Sequence, residues 1–224
     1  MAEIVRKTDP GSVYEIDMNS DVTKYFENLA KKNRELFDKY NIKAIDIMGS
    51  IGSGKTSLIE NLVPRLKDKY KISVFAGDIT TTIDADRIES KGGKVLEIST
   101  GGECHLDALM IAKALARIDL NNTDLLLIEN VGNLICPASF PLGSHKRVVV
   151  ISVTEGPYMV IKHPKMFIDA DVVVINKIDL AEAMGVDPDK IAEDAVNMQP
   201  RVKVVKTNLK TGEGVDEVIK AIGL

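Results

Sequence analysis

Three observations predict an α/β fold with a mostly parallel sheet of about seven strands and helices on both faces. Short aliphatic or β-branched runs recur along the chain, helical patterns lie between several of them, and a complete phosphate-binding motif occupies the first strand-to-helix turn. The 224 residues, 45% hydrophobic and 28% charged, suit one such domain with a sizeable core and exclude disorder for its bulk. A formal net charge of −4 and the lack of a basic block argue against a nucleic-acid partner. No apolar run approaches the roughly 20 residues that span a bilayer, and the start of the chain lacks an apolar signal core. A cytoplasmic location with no membrane contact is therefore expected.

Residues 1–20 mix Lys, Asp, Pro, Gly and Ser without a sustained apolar face and read as an extended or partly ordered lead-in. Residues 21–40 carry Val22, Tyr25, Phe26, Leu29, Leu36 and Phe37, a broken helical stripe that predicts a helix packed on the main domain. Residues 1–40 are thus expected to form an N-terminal extension and residues 41–224 the main domain. Within the latter, strands are predicted at 42–48, 72–76, 94–98, 125–128, 148–153, 172–175 and 202–205. Helical spacing covers 56–69, 106–118, 190–198 and 215–222. In such sheets ligands gather at the carboxyl ends of strands, which is where the motifs fall.

Residues 49–56 read Gly-Ser-Ile-Gly-Ser-Gly-Lys-Thr, a full G-x-x-x-x-G-K-[ST] loop of the P-loop NTPase type. Gly49, Gly52 and Gly54 let the backbone turn tightly and aim N–H groups at phosphate oxygens, with Ser53 and Ser57 at neighbouring phosphate-facing positions. The helix N-terminus adds partial positive charge, Lys55 a full one, and the Thr56 hydroxyl suits Mg²⁺. A nucleoside triphosphate is the expected ligand.

Residues 172–175 run into Asn176-Lys177-Ile178-Asp179, an N-K-x-D that resembles the guanine-specificity motif of GTPases. A carboxylate at Asp179 accepts from N1–H and the exocyclic amine of guanine, donors that adenine lacks. The Lys177 stem can cover a face of the base and Asn176 can brace neighbouring loops. Further on, Asn208-Leu209-Lys210-Thr211-Gly212-Glu213-Gly214 resembles the S-A-K-T-G-E-G segment that closes over guanine, with Asn and Leu where Ser and Ala are usual. Asn208, Leu209 and Lys210 are thus expected beside the base.

Two acids complete the Mg²⁺ reading. Glu129 ends an apolar run before Asn130-Val131-Gly132, an E-x-x-G where GTPases usually have D-x-x-G, and Gly77-Asp78 follows the second strand of the main domain. Glu129 and Asp78 are expected to hold the ion or its water shell with Thr56, and Lys55, Asp78 and Glu129 are the catalytic candidates. Gly132 leaves an N–H free for the γ-phosphate. No glutamine follows Gly132 and no arginine finger is identifiable, so slow hydrolysis is expected.

Cys104 and Cys136 are too few for a disulfide framework. Cys104-His105 is read as starting the helix that runs to residue 118, whose N-terminus favours a thiolate, and Cys136 lies just beyond Gly132. Thiolate and imidazole are donors that Zn²⁺ and Ni²⁺ favour, though two buried thiols and a capping histidine fit the spacing as well. His145 and His163 read as ordinary surface or loop residues.

The phosphate loop, Gly77-Asp78, Cys104-His105, the string Glu129-Asn130-Val131-Gly132-Asn133-Leu134 with Cys136-Pro137, and Asn176-Lys177-Ile178-Asp179 together resemble the HypB family of [NiFe]-hydrogenase maturation GTPases. The resemblance spans roughly residues 40–224. It implies a GTP-dependent homodimer that helps insert nickel into the hydrogenase large subunit with other maturation proteins. It also implies Cys104, His105 and Cys136 as Ni²⁺ or Zn²⁺ ligands. Residues 1–40 hold no Cys and no His, so the tight nickel motifs some HypB proteins carry there are missing from that stretch. GTPases serving urease or a cobalamin enzyme, and a P-loop small-molecule kinase, are the alternatives.

Overall fold

The computed structural model describes residues 3–6, 13–16, 18–77 and 83–224. Strands β1 (Glu3–Arg6) and β2 (Val13–Ile16) pair antiparallel, and helix α1 (Met18–Lys39) follows. The described part of residues 1–20 thus holds two paired extended strands, and α1 begins earlier than the apolar stripe suggested. Four-residue strands are too short for alternation to stand out beside charges.

The main sheet holds β3 (Lys43–Gly49), β4 (Ile72–Gly77), β5 (Lys94–Ile98), β6 (Leu125–Glu129), β7 (Lys146–Ser152), β8 (Val172–Asn176) and β9 (Lys203–Thr207). Its order is β5-β4-β6-β3-β7-β8-β9, and every neighbouring pair is parallel. The seven strands are those the sequence predicts. Strands buried on both faces can be apolar throughout, which is why the central strands β6 and β8 read as continuous runs.

Successive residues of each strand feed opposite layers. On one side, Leu125 and Leu127 pack with α2 (Lys55–Leu66) and α9 (Val215–Ile222), whose Leu58, Leu62, Val215 and Val218 are buried. On the other, Leu126 and Ile128 meet Phe37 of α1 and Ile111 of α4 (Ala108–Leu115), while Val173 and Ile175 pack on Ile191 of α8 (Pro188–Met198). Helices α3 (Ile83–Glu89), α5 (Met159–Lys162), α6 (Pro164–Ile168) and α7 (Ala181–Met184) complete the set. They span seven residues or fewer, too short for helical spacing to register.

Helix α1 is tied to the sheet by polar contacts the sequence did not reveal. Buried Asn33 donates to the carbonyls of Ala108 and Leu142 at 2.9 and 3.1 Å. His145 is not an ordinary surface residue: its Nδ1 accepts from the Ala44 N–H at 3.1 Å, and its Nε2 lies 2.8 Å from Asp38 of α1. That bond to Nδ1 leaves the proton on Nε2, directed at the carboxylate. The structure thus places α1 against α4 and β3.

Candidate nucleotide site and metal centre

Strand β3 ends in the phosphate loop, and α2 starts from it. Gly54 precedes α2 at φ 113°, and a Cβ there would lie 2.3 Å from Asn176 Nδ2, so only glycine lets the loop close against β8. Lys55 is buried, with Nζ 3.2 Å from the Gly49 carbonyl and 2.9 Å from that of Ser50. Its ammonium curls back over the loop, where phosphate oxygens would take the place of those carbonyls. The Thr56 hydroxyl donates to Glu129 Oε1 at 2.6 Å, bringing together a hydroxyl and a carboxylate from opposite ends of α2 and β6. Both are hard oxygen donors, the chemistry Mg²⁺ requires.

A cavity of about 990 Å³ opens beside this loop. Gly52, Gly54, Lys55, Thr56, Ser57 and Glu129 line its phosphate-loop end, and Asn176, Lys177, Asp179, Asn208, Leu209 and Lys210 its other end. The expected phosphate and base positions therefore share one space. Asn176 organises the second end: its Nδ2 donates to the Ser53 carbonyl at 2.8 Å, and its Oδ1 accepts from Leu209 N–H at 3.1 Å and Thr207 Oγ1 at 3.3 Å. Lys177, in the left-handed region at φ 61°, lays its Nζ 2.8 Å from the Gly52 carbonyl, bridging the loop. Asn208 accepts from the Lys210 N–H at 3.2 Å and shapes the turn.

Gly49 and Ser53 lie outside the cavity lining, as does Gly132. Gly132 packs instead on the phosphate loop, where an added Cβ would sit 2.5 Å from Ile51 Cγ1. The Asn133 N–H donates to the Gly49 carbonyl at 3.1 Å, so the segment after Glu129 rests directly on the loop. Asp78, and Thr80, Thr81 and Thr82 with it, lie outside the described residues. Sequence reasoning missed Arg87 and Lys91, which line the cavity, and Glu155, which accepts from the Ser50 hydroxyl. Burial raises the Glu155 pKa, partly offset by that hydroxyl and by Lys177 and Lys55. A charged residue in a helix or loop carries no sequence sign of which cavity it borders.

Cys104, His105 and Cys136 come together from two loops, their ligand atoms all within 4.8 Å of one another. The sulfurs are 2.7 Å apart, and Cys104 Sγ lies 3.9 Å from His105 Nδ1. A tetrahedral ion with Zn–S bonds of about 2.3 Å holds two sulfurs about 3.8 Å apart, so loading needs the thiols to part by roughly 1 Å. Exposed Cys104 has room to do so. The His105 ring stacks on Phe140 with centroids 3.7 Å apart at 21°, which fixes its plane, and only 9% of the residue is exposed. Burial lowers its pKa, against upward pulls from Asp107 and Glu103, so the imidazole is neutral and able to ligate at pH 7.

Residues 43–206 match the family model described as CobW/HypB/UreG, nucleotide-binding domain. A probable hydrogenase maturation factor HypB of Methanocaldococcus jannaschii is 53% identical over 92% of this chain and 94% of its own length. The chain belongs to the HypB family. Two solved structures agree with that membership. Hydrogenase maturation factor HypB of Archaeoglobus fulgidus superposes with a TM-score of 0.83 at 49% identity, covering 88% of this chain and 96% of that one. HypB of Helicobacter pylori in complex with nickel gives 0.81 at 36%, covering 88% and 92%.

One expectation for this HypB-family chain is overturned near its cysteines. Helix α4 begins at Ala108, capped by Asp107, whose side chain accepts from the Met110 N–H at 2.8 Å. Cys104 and His105 therefore precede the helix rather than start it. The Cys104 thiol is raised above its ordinary pKa, first by its hydrogen bond to Cys136. An aspartate immediately before an apolar stripe is the better helix-start signal, because its carboxylate satisfies a free N–H.

Proposed function

We propose that this chain is a GTP-hydrolysing metallochaperone that carries nickel for hydrogenase maturation, with metal binding and pairing of two copies coupled to the nucleotide. The observation that carries the reading is the Cys104, His105 and Cys136 cluster, one ligand of which stands four residues beyond a glycine packed on the phosphate loop. The relatives named as hydrogenase maturation factors, and a HypB that binds nickel, support the cargo and the target. Maturation proteins and the hydrogenase large subunit are then the partners, in the cytoplasm. Among the described residues no helix is long and apolar enough to cross a membrane.

Guanine selection falls to Asp179, with Asn176 and Lys177 holding the loop in place and Asn208, Leu209 and Lys210 closing the base end. Phosphates go to residues 49–57, with Lys55 neutralising charge as it develops. Thr56 and Glu129 would hold Mg²⁺, directly or through water, and Asp78 is the further candidate from its loop. The ion would offset charge between the β- and γ-phosphates. With no glutamine after Gly132, hydrolysis is slow and the protein acts as a timer. Three protein ligands leave a fourth tetrahedral position open, which suits a cargo ion that must be released, as Ni²⁺ or Zn²⁺. Residues 1–40 would serve as an extension to the GTPase domain formed by 41–224.

The test is titration with Ni²⁺ and Zn²⁺ in the GDP state and with a non-hydrolysable GTP analogue, following mass by light scattering, beside a GTP against ATP competition. One ion per chain, GTP preference and analogue-dependent pairing are expected. Equal use of GTP and ATP, or metal binding untouched by loss of both cysteines, overturns the reading.

A further inference from the structure

Two polar side chains buried away from the nucleotide cavity are left unexplained by that reading: Asp46, within β3, and Asn130, the residue after Glu129. They are 0% and 1% exposed. Asn130 Nδ2 donates to Asp46 Oδ1 at 3.1 Å, and Arg147 Nε stands 3.9 Å from the other carboxylate oxygen. With one of its amide hydrogens donated to β3, Asn130 turns its oxygen outward. That oxygen accepts from the Val131 N–H at 3.0 Å and from the Leu106 N–H at 3.1 Å. Leu106 is the residue after His105.

The side chain of Leu106 has a second anchor. It is fully buried against Gly77, the last residue of β4, so closely that an added Cβ would lie 2.9 Å from both Leu106 Cγ and Cδ1. Gly77 immediately precedes Asp78. One residue of the metal-ligand loop is thus gripped through its backbone by the segment that follows Glu129, and through its side chain by the segment that leads to Asp78.

We propose that Asn130 is a positioning residue that transmits nucleotide state to the metal cluster, by holding Leu106, and with it His105, to the loop that Glu129 starts. A shift of residues 129–132 toward a γ-phosphate carries the Asn130 amide oxygen with it. Leu106 N–H must follow or lose its acceptor, and a buried donor left unpaired is costly. The stack of His105 on Phe140, which lies on the Cys136 side of the cluster, resists that movement. His105 is therefore drawn by the start of the β6–β7 connection and held by its later part, so ligand spacing changes with the nucleotide. This inference rests on the proposed coupling of metal to nucleotide and names the residue that carries it.

The experiment measures Ni²⁺ affinity of the full chain with GDP and with a non-hydrolysable GTP analogue, and takes the ratio. Asn130→Ala is expected to lower that ratio toward one, by up to about fivefold for one lost hydrogen bond. Asp46→Asn keeps an acceptor for Asn130 Nδ2 and is expected to preserve the ratio, whereas Asp46→Ala is expected to reduce it. A role in folding alone would weaken both states equally and leave the ratio alone. A wild-type ratio of one removes the coupling and this inference with it. A wild-type ratio that survives Asn130→Ala overturns the inference alone. Hydrogen exchange at the Leu106 amide in wild-type protein covers the case where Asn130→Ala does not fold. Its protection is expected to differ between the two nucleotides, and equal protection overturns the proposal.

Discussion

The carboxylate of Asp179 lines the cavity with Asn176, Lys177 and Leu209, and when ionised it only accepts hydrogen bonds. Asp179→Asn keeps its size but replaces one acceptor with a donor. GTP affinity is expected to fall by about 10²-fold or more, while xanthosine triphosphate, with an acceptor where guanine has its amine, gains. Nucleotide competition checks this, and an unchanged GTP preference removes Asp179 from the base contact. At Asp46 the same type of side chain has another environment. Burial raises its pKa to about 6 from 3.8, against the opposing pull of Arg147 and the Asn130 hydrogen bond. The folded-state pKa is the higher one, so stability is fully present below about pH 4 and is lost as pH rises toward 6. The loss amounts to about 3 kcal/mol at most. Asp46→Asn is expected to flatten that part of the stability profile in urea melts from pH 4 to 7, and an unaltered slope contradicts the assignment.

Among elements, the junction of β8, β9 and the phosphate loop depends on one amide. Asn176 satisfies the Ser53 carbonyl and the Leu209 N–H together, at the point where Gly54 leaves no room for a side chain. Asn176→Ala strands both groups and is expected to cost about 2–4 kcal/mol in denaturant melts, with nucleotide affinity falling alongside. Loss of affinity with unchanged melts would instead make Asn176 a base contact alone. Strands β7 and β8 beside this junction were legible because both faces of the sheet are buried there, making residues 148–151 and 172–175 continuous apolar runs. The donor types of the candidate cluster were legible too: Cys104, His105 and Cys136 are two thiols and an imidazole, which soft metals favour, though their spacing also suits buried thiols and a capping histidine. Their meeting was not legible, because it depends on how two loops cross. The contacts of Asn130 and Phe140 were not legible for the same reason: an amide after an acid and an aromatic in a loop carry no periodic signal. Helix α4 was placed too early because its apolar stripe was weighed above the cap at Asp107.

At the scale of the whole molecule, the sheet edges and the loop face differ in what they offer a second copy. Edge strand β5 exposes Lys94 and Glu97, and edge strand β9 exposes Lys203 and Lys206, charges that discourage edge-to-edge pairing. The apolar exposure lies elsewhere. Ile51 (83% exposed), Ile135 (64%), Tyr158 (59%) and Ile161 (58%) all follow the carboxyl ends of β3, β6 and β7, three strands that are neighbours in the sheet. Ile51 belongs to the phosphate loop and Ile135 precedes a metal-ligand candidate, so contact across this face would involve nucleotide and metal together. Ile135→Glu is expected to abolish the mass doubling proposed for the chain with Ni²⁺ and a GTP analogue, because a carboxylate would face its own copy across an apolar contact. Nucleotide affinity of the single chain is expected to stay within about threefold, since Ile135 does not line the cavity. Replacing both cysteines with serine should remove the ion while sparing GTP binding, and mass measured on that variant separates pairing held by the metal from pairing held by the apolar face. If Ile135→Glu pairs as wild type does, the two copies meet through another surface, and the link between pairing and the metal loop is lost.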